Sequence, residues 1–280
     1  MRIVALSLLA VLLAVPAGAA EPPAISAKSA VLFDATSGEV LLKKNENEPR
    51  PVASTQKLLT ALIIAESGGL DLPLTIEASD TLAEPTKLYL KTGDQYTRRE
   101  LLAALLVKSA NDVACALARD NAGSVAAFAK KMNARIRELR GTNSNFVNPN
   151  GLPAEGQYST ARDMAIVARA VYANPVLREM IAQKFVTFRY ASGKSVTLRN
   201  TNRLLQEYPF CNGMKTGYTV KSGHCLISSG SWGGRQVIAV VLGDTKLRIR
   251  QESLEMLAYG LGISRAGVAS MRIGDGASAN

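Results

Sequence analysis

Three observations in the amino-acid sequence predict a mixed α/β fold, with one antiparallel sheet formed by both ends of the chain. Near the start, the apolar runs Ala30–Asp34 and Glu39–Lys43 flank Ala-Thr-Ser-Gly and read as a β-hairpin. Near the end, Cys225–Ser231 and Gln236–Leu242 flank Trp-Gly-Gly-Arg in the same way. Between them, from Tyr96 to about Ile181, apolar residues recur at helical spacing. Helices should therefore pack on the sheet, with a mainly helical region inserted between its two halves.

The elements follow in order. Arg2, the apolar run Ile3–Val15 and the small residues Ala17–Ala20 have the layout of an export signal, expected to occupy residues 1–20. After the first hairpin, a charged loop (44–50) leads to Pro51 and a helix with apolar residues at Leu58, Leu59, Leu62 and Ile63. Gly68-Gly69 opens a turn-rich stretch that lasts to Gly93. Thr97 caps the next helix, with Glu100 placed to close a capping box. Further helices are expected over Asn111–Asp120, Val125–Leu139 and Thr160–Tyr172, with a loop at Asn145–Pro153. Phe185–Tyr190 and Ser195–Arg199 read as another hairpin. Leu254–Gly260 reads as a closing helix ended by glycine, and residues 263–280 as a flexible tail. One catalytic domain would then span residues 28–262.

Composition limits the possible functions. Thirty-three basic residues against 23 acidic ones give a net charge of +10. The cations are scattered and lack interleaved aromatics, so a solvated surface is the preferred reading and no nucleic acid is expected as a partner. Past the leader no apolar run reaches membrane length, so no transmembrane anchor is expected after signal removal. Three cysteines cannot make a complete disulfide framework: Cys115 reads as a buried thiol, and a Cys211–Cys225 bridge stays open. A single histidine, His224, and no paired cysteines argue against a zinc site, and His224 reads as a core or turn residue.

Three short motifs carry the chemistry. Ser54 and Lys57 stand one helical turn apart, where an amine can take a hydroxyl's proton. Ser109 and Asn111 fall where one helix ends and the next begins, and offer a hydroxyl and an amide for proton relay and amide binding. Lys215, Thr216 and Gly217 precede the last hairpin, Gly217 being suited to close approach by a ligand backbone. Each motif alone is weak. Ser-x-Asn recurs at Ser278–Asn280, and Lys-Thr-Gly at Lys91–Gly93, which is set aside for its turn context.

Taken together and in this order, the motifs resemble those of the serine D-alanyl-D-alanine carboxypeptidases, the low-molecular-weight penicillin-binding proteins. The resemblance runs from roughly Ala30 to Gly262 and includes the blocks Arg50–Ala61, Lys108–Ala114, Asn145–Pro153, Tyr158–Met164, Asn200–Leu205 and Gly213–Thr219. It implies a β-lactamase/DD-peptidase-like fold and a periplasmic or cell-wall location. It also implies a peptidoglycan stem peptide ending in D-Ala-D-Ala as substrate, and β-lactam antibiotics as covalent inhibitors. Ser54 would be the nucleophile, Lys57 its base and Ser109 a proton relay. Asn111, Lys215, Thr216, Gly217 and Tyr218 would hold the substrate. No metal and no organic cofactor are implied. An arginine that the family uses near the last helix does not align, because Ile249 falls between Arg248 and Arg250. The competing readings are a β-lactamase, for which Glu155 is the nearest extra acid, a DD-endopeptidase, and a non-catalytic peptidoglycan-binding module.

Overall fold

The computed structural model describes residues 21–273, and in it both ends of the chain contribute to one sheet. β1 (Ser29–Asp34) and β2 (Val40–Lys44) form the first hairpin; β8 (Gly223–Trp232) and β9 (Arg235–Asp244) form the last. β9 pairs with β1, and β7 (Cys211–Thr219) pairs with β8. The order is therefore β2-β1-β9-β8-β7, with every pairing antiparallel. The expected export signal and the second Ser-x-Asn lie outside the described residues.

The central strands are apolar on both faces because both faces are covered. Ala30 and Leu32 of β1, with Val237, Ala239 and Val241 of β9, face a core under α8 (Ile249–Leu261). Val31, Phe33, Ile238, Val240 and Leu242 face the larger core shared with the inserted helices. The period-two alternation of a strand thus sorts one apolar run into two cores.

The inserted region holds α1 (Lys57–Glu66), α2 (Arg98–Lys108), α3 (Asn111–Ala122), α4 (Val125–Glu138), α5 (Ala161–Ala173) and α6 (Pro175–Ile181). The capping box at Thr97 forms: the Thr97 side chain accepts from Glu100 N–H, and Glu100 accepts from Thr97 N–H at 2.8 Å. Thr160 caps α5, but the Asp163 carboxylate turns away to accept from Asn143 N–H and the Ser144 hydroxyl, which ties down the loop that follows α4. The turn-rich stretch contains β3 (Pro73–Thr75), paired with β4 (Gln95–Thr97), and β5 (Phe185–Arg189) pairs with β6 (Ser195–Arg199).

Three expectations, the closing helix's start, its glycine stop and the tail, need correction, and the open question of the cysteine bridge is answered. The closing helix starts at Ile249 and ends at Gly262, whose φ of +70° only glycine adopts freely. Gly260 lies inside that helix, where a Cβ would come within 3.0 Å of Val237. Ser264 caps a further helix, α9 (Arg265–Ser270), and Ile273 N–H donates to the Glu207 carbonyl, so residues 264–273 are not a frayed tail. Cys211 and Cys225 are free and buried. Cys225 pairs across the sheet with Gly217, six residues along β7 from Cys211; that is a strand length of about 20 Å, far beyond disulfide reach.

Candidate active site

The site lies where the open edge of β7 meets the start of α1. Ser54 occupies a 3-10 turn, Ala53–Gln56, rather than the α-helix itself, which opens at Lys57. The turn is entered through Ala53 with a φ of +49°, unusual for a residue with a side chain. Lys57 is fully buried, and its Nζ lies 2.8 Å from Ser54 Oγ, 2.7 Å from Asn111 Oδ1 and 2.6 Å from the Asn150 carbonyl oxygen. Burial, followed by the charge of Lys215, pushes its pKa well below the usual lysine range. A neutral amine has two N–H groups and one lone pair. Two neighbours, the oxygens of Asn111 and Asn150, can only accept, which leaves the lone pair for the Ser54 hydroxyl.

Three consecutive loop carbonyls are held by side chains of this same segment. Gln56 Nε2 donates to Asn148 O at 2.6 Å, Thr60 Oγ1 to Pro149 O at 2.7 Å, and Lys57 to Asn150 O. Gly151 follows with a φ of +86°, and a Cβ there would stand 2.1 Å from the Ala53 carbonyl oxygen. The loop therefore backs the nucleophile turn closely.

Ser109 and Asn111 come from the α2–α3 junction. Ser109 ends α2 with a φ of +68°, and the N-cap of α3 is Ala110, so neither polar side chain is used as an N-cap. Ser109 lines the cleft beside Ser54. Asp112 is fully buried, and no motif pointed to it. Its carboxylate accepts from Leu88 N–H at 3.0 and 3.1 Å and from Leu90 N–H at 3.3 Å, while Asn111 N–H donates to Thr86 O. These bonds anchor the wall that carries Pro85 and Thr86 into the cleft.

The opposite wall is β7. Lys215 is fully buried, its Nζ donates to the Thr216 carbonyl at 3.0 Å, and burial lowers its pKa to about 7. The Thr216 hydroxyl donates to Thr201 Oγ1 at 2.7 Å. Gly217 meets a further constraint: the protein's own turn approaches it, with Ser54 N 2.9 Å from where a Cβ would stand. Tyr218 is half exposed and stacks on His224 with ring centroids 4.4 Å apart. His224 is thus a rim residue of the cleft, neither core nor turn, and partial burial lowers its pKa.

The cleft has a volume of about 530 Å³ and also takes in Thr201, Arg203 and Lys246, which the motifs missed, and Arg250, one of the two arginines that flank Ile249. Arg250 lies 3.5 Å from Glu207, whereas Arg248 is exposed and does not line the cleft. Glu155 is exposed and outside it, and Lys91 stands exposed beside the turn before β4. Among the described residues, no cluster of three or more His, Cys, Asp or Glu side chains could hold a metal ion.

A serine hydroxyl set against a buried amine, with no imidazole in contact with either, is the equipment of a serine acyl-transfer enzyme that uses lysine as base. The family model described as D-alanyl-D-alanine carboxypeptidase, Peptidase_S11, matches residues 17–246, and the chain belongs to that family. It is 37% identical over 222 residues to the D-alanyl-D-alanine carboxypeptidase DacF of Bacillus subtilis (strain 168), covering 78% of this chain and 57% of that protein. It is 36% identical over 234 residues to DacB2 of Mycobacterium tuberculosis (strain ATCC 25618 / H37Rv), covering 82% and 80%. The crystal structure of the Streptomyces K15 DD-transpeptidase superimposes with a TM-score of 0.82 at 28% identity, covering 87% of this chain and all of that one. The chain spans little more than half the length of DacF.

Proposed function

We propose that this protein is a serine D-Ala-D-Ala carboxypeptidase that removes the terminal D-alanine of peptidoglycan stem peptides. The observation that carries this reading is the wholly buried Lys57 amine, 2.8 Å from Ser54 Oγ and depressed in pKa by its surroundings. Ser54 attacks the carbonyl between the two D-alanines while Lys57 takes its proton. The N–H groups of Ser54 and Tyr218 receive the oxyanion, a donor of this kind being worth about 10²–10³ in rate. Ser109 passes a proton to the leaving amine, and the Asn111 amide holds the peptide. Lys215, Thr216 and the backbone at Gly217 receive the free carboxylate. Water then hydrolyses the ester and restores Ser54. β-Lactams, which imitate the D-Ala-D-Ala end, acylate the same serine.

The reading places the mature enzyme outside the cytoplasm after loss of residues 1–20, at the cell wall where its polymer lies. Among the described residues no helix is long and apolar enough to cross a membrane. The exposed Glu155 supplies no second base for fast deacylation, which disfavours the β-lactamase reading. Chromatographic detection of D-alanine released from a pentapeptide ending in D-Ala-D-Ala tests the proposal. Release is expected from the wild type and none from Ser54→Ala; a wild type that releases none would refute it.

A further inference from the structure

Four cations line the cleft, Lys108, Arg203, Lys246 and Arg250, and among the described residues no aspartate or glutamate lines it. Arg250 has an acidic neighbour in Glu207 at 3.5 Å, whereas the other three pair with no acid among the described residues. The single carboxylate of a terminal D-alanine, met by Lys215 and Thr216 on the carboxypeptidase reading above, leaves this charge unused. A cleft with cations to spare and no acid suits a ligand that carries a second negative group.

Two of the four have a defined place next to Thr216. The Thr201 hydroxyl accepts from Thr216 at 2.7 Å, and the Thr201 N–H donates to the Val107 carbonyl at 3.3 Å. Lys108, the last residue of α2, follows Val107 directly, so the end of α2 lies against Thr201. Arg203 comes two residues after Thr201, just ahead of α7 (Leu204–Glu207), on a segment held by buried amides. Asn200 Nδ2 donates to the Gln183 carbonyl at 2.9 Å, Asn202 Nδ2 to the Gly213 carbonyl at 2.7 Å, and Asn202 N–H to Asn200 Oδ1 at 2.9 Å. Both cations therefore rise from fixed backbone beside Thr201 and reach the cleft. We infer that Lys108 and Arg203 form a second anion subsite there, for the side-chain carboxylate of an acidic leaving residue. The inference rests on the carboxypeptidase reading and widens its leaving group from D-alanine to a D-residue with an anionic side chain.

The chemistry balances with the same groups. Ser54 Oγ bonds to the carbonyl carbon of the penultimate D-alanine, and the amide C–N bond to the acidic last residue breaks. The proton from Ser54 reaches the departing amine by way of Lys57 and Ser109. Water then cleaves the ester, so that the net change is hydrolysis of one amide bond. The leaving residue keeps two carboxylates: the terminal one at Lys215 and Thr216, and the side-chain one at Lys108 and Arg203.

The test compares three pentapeptides that differ only in the residue after the penultimate D-alanine: D-alanine, D-glutamate, and its neutral isostere D-glutamine. Chromatography of the released amino acid gives kcat/KM for each. The wild type should release D-alanine, and should release D-glutamate about tenfold faster than D-glutamine, the fold-change that ~1.4 kcal/mol gives. Lys108→Met should slow D-glutamate release by a similar factor and leave D-alanine and D-glutamine release unchanged, and Lys108→Arg should restore most of the D-glutamate rate. Arg203→Gln should lower the ratio of D-glutamate to D-glutamine release as well. A wild type that releases D-alanine but takes D-glutamate no faster than D-glutamine would overturn the inference while the carboxypeptidase reading stands. A ratio that neither variant lowers, or an equal loss on all three peptides in Lys108→Met, would overturn it too. A wild type that cuts none of the three would overturn both readings.

Discussion

The two walls of the cleft are built on different principles. On the helical wall the base and the loop behind it are fixed by direct bonds: Lys57 contacts Ser54, Asn111 and Asn150, the 148–150 carbonyls are all taken, and Asp112 anchors the neighbouring loop. On the strand wall Lys215 holds only its neighbour's carbonyl, Tyr218 is half exposed, and Arg203 and Lys246 pair with no acid among the described residues. On the proposed reading, the difference separates chemistry from recognition. A nucleophile and its base gain from being fixed before the substrate arrives, since reorganisation then costs nothing at the moment of reaction. The wall proposed to bind the carboxylate holds Lys215 and Thr216 by one contact each and leaves Arg203 and Lys246 without an acidic partner among the described residues.

The largest expected effect is on the helical wall. Lys57→Arg replaces an amine that can be neutral with a guanidinium that cannot, and should slow acylation by a fluorescent penicillin about 10²–10⁴-fold with the circular dichroism unchanged. Near wild-type acylation would remove Lys57 as the base. On the strand wall, Lys215→Ala should cost roughly 10²-fold in kcat/KM for D-alanine release, about the loss of a charge-assisted contact together with its positioning. Lys91→Ala, the same residue of the same tripeptide on an exposed turn, should change nothing; equal losses would mean that the strand wall is not the carboxylate site.

Asp112→Asn should have a smaller effect, about tenfold in kcat/KM, because it loosens the Leu88–Leu90 anchor without touching substrate. It carries a second readout. The negative charge of Asp112 favours the Lys57 ammonium, so its loss should move the acidic limb of the pH–acylation profile to lower pH. A drop in rate with no movement of that limb would leave only the loop anchor.

The smallest effect concerns stability. Lys215 has a pKa of about 7 in the folded protein against 10.5 for a free lysine side chain. Between those values the unfolded chain binds more protons, so this group makes stability rise with pH from about 7 to 10.5. Lys215→Met should flatten that rise and stabilise the protein most near and below pH 7, as read from denaturant midpoints across that range. An unchanged slope would show that Lys215 is less desolvated than its burial indicates.

Much of this was legible in the sequence because local rules and the fold agree. The hairpins at both ends, the box at Thr97–Glu100 and the junction at Ser109–Asn111 depend on spacing and turn chemistry alone. The two Lys-Thr-Gly copies could be separated by context, since one sits in a turn and the other on β7, ahead of the last hairpin. What stayed hidden depends on long-range approach. The roles of Gly151 and Gly217 follow from contacts with Ala53 and Ser54, which are distant in sequence. Arg203 is far in the sequence from Lys246 and Arg250, and they meet only in the folded cleft. Asp112 carries no motif of its own, and its bonds reach back more than twenty residues. His224 reads as a core or turn residue from its apolar stretch, yet it stands at the strand end that lines the cleft.

Intact-protein mass spectrometry after exposure to penicillin tests the central claim, that Ser54 with its preset Lys57 is an acyl-accepting nucleophile. The wild type should gain one penicilloyl group and lose it slowly, because the leaving group stays tethered and, among the described residues, no glutamate lines the cleft. Peptide mapping should place the adduct on Ser54, and Ser54→Ala should gain none. An adduct at another residue, or rapid loss of antibiotic with no accumulating adduct, would contradict the account.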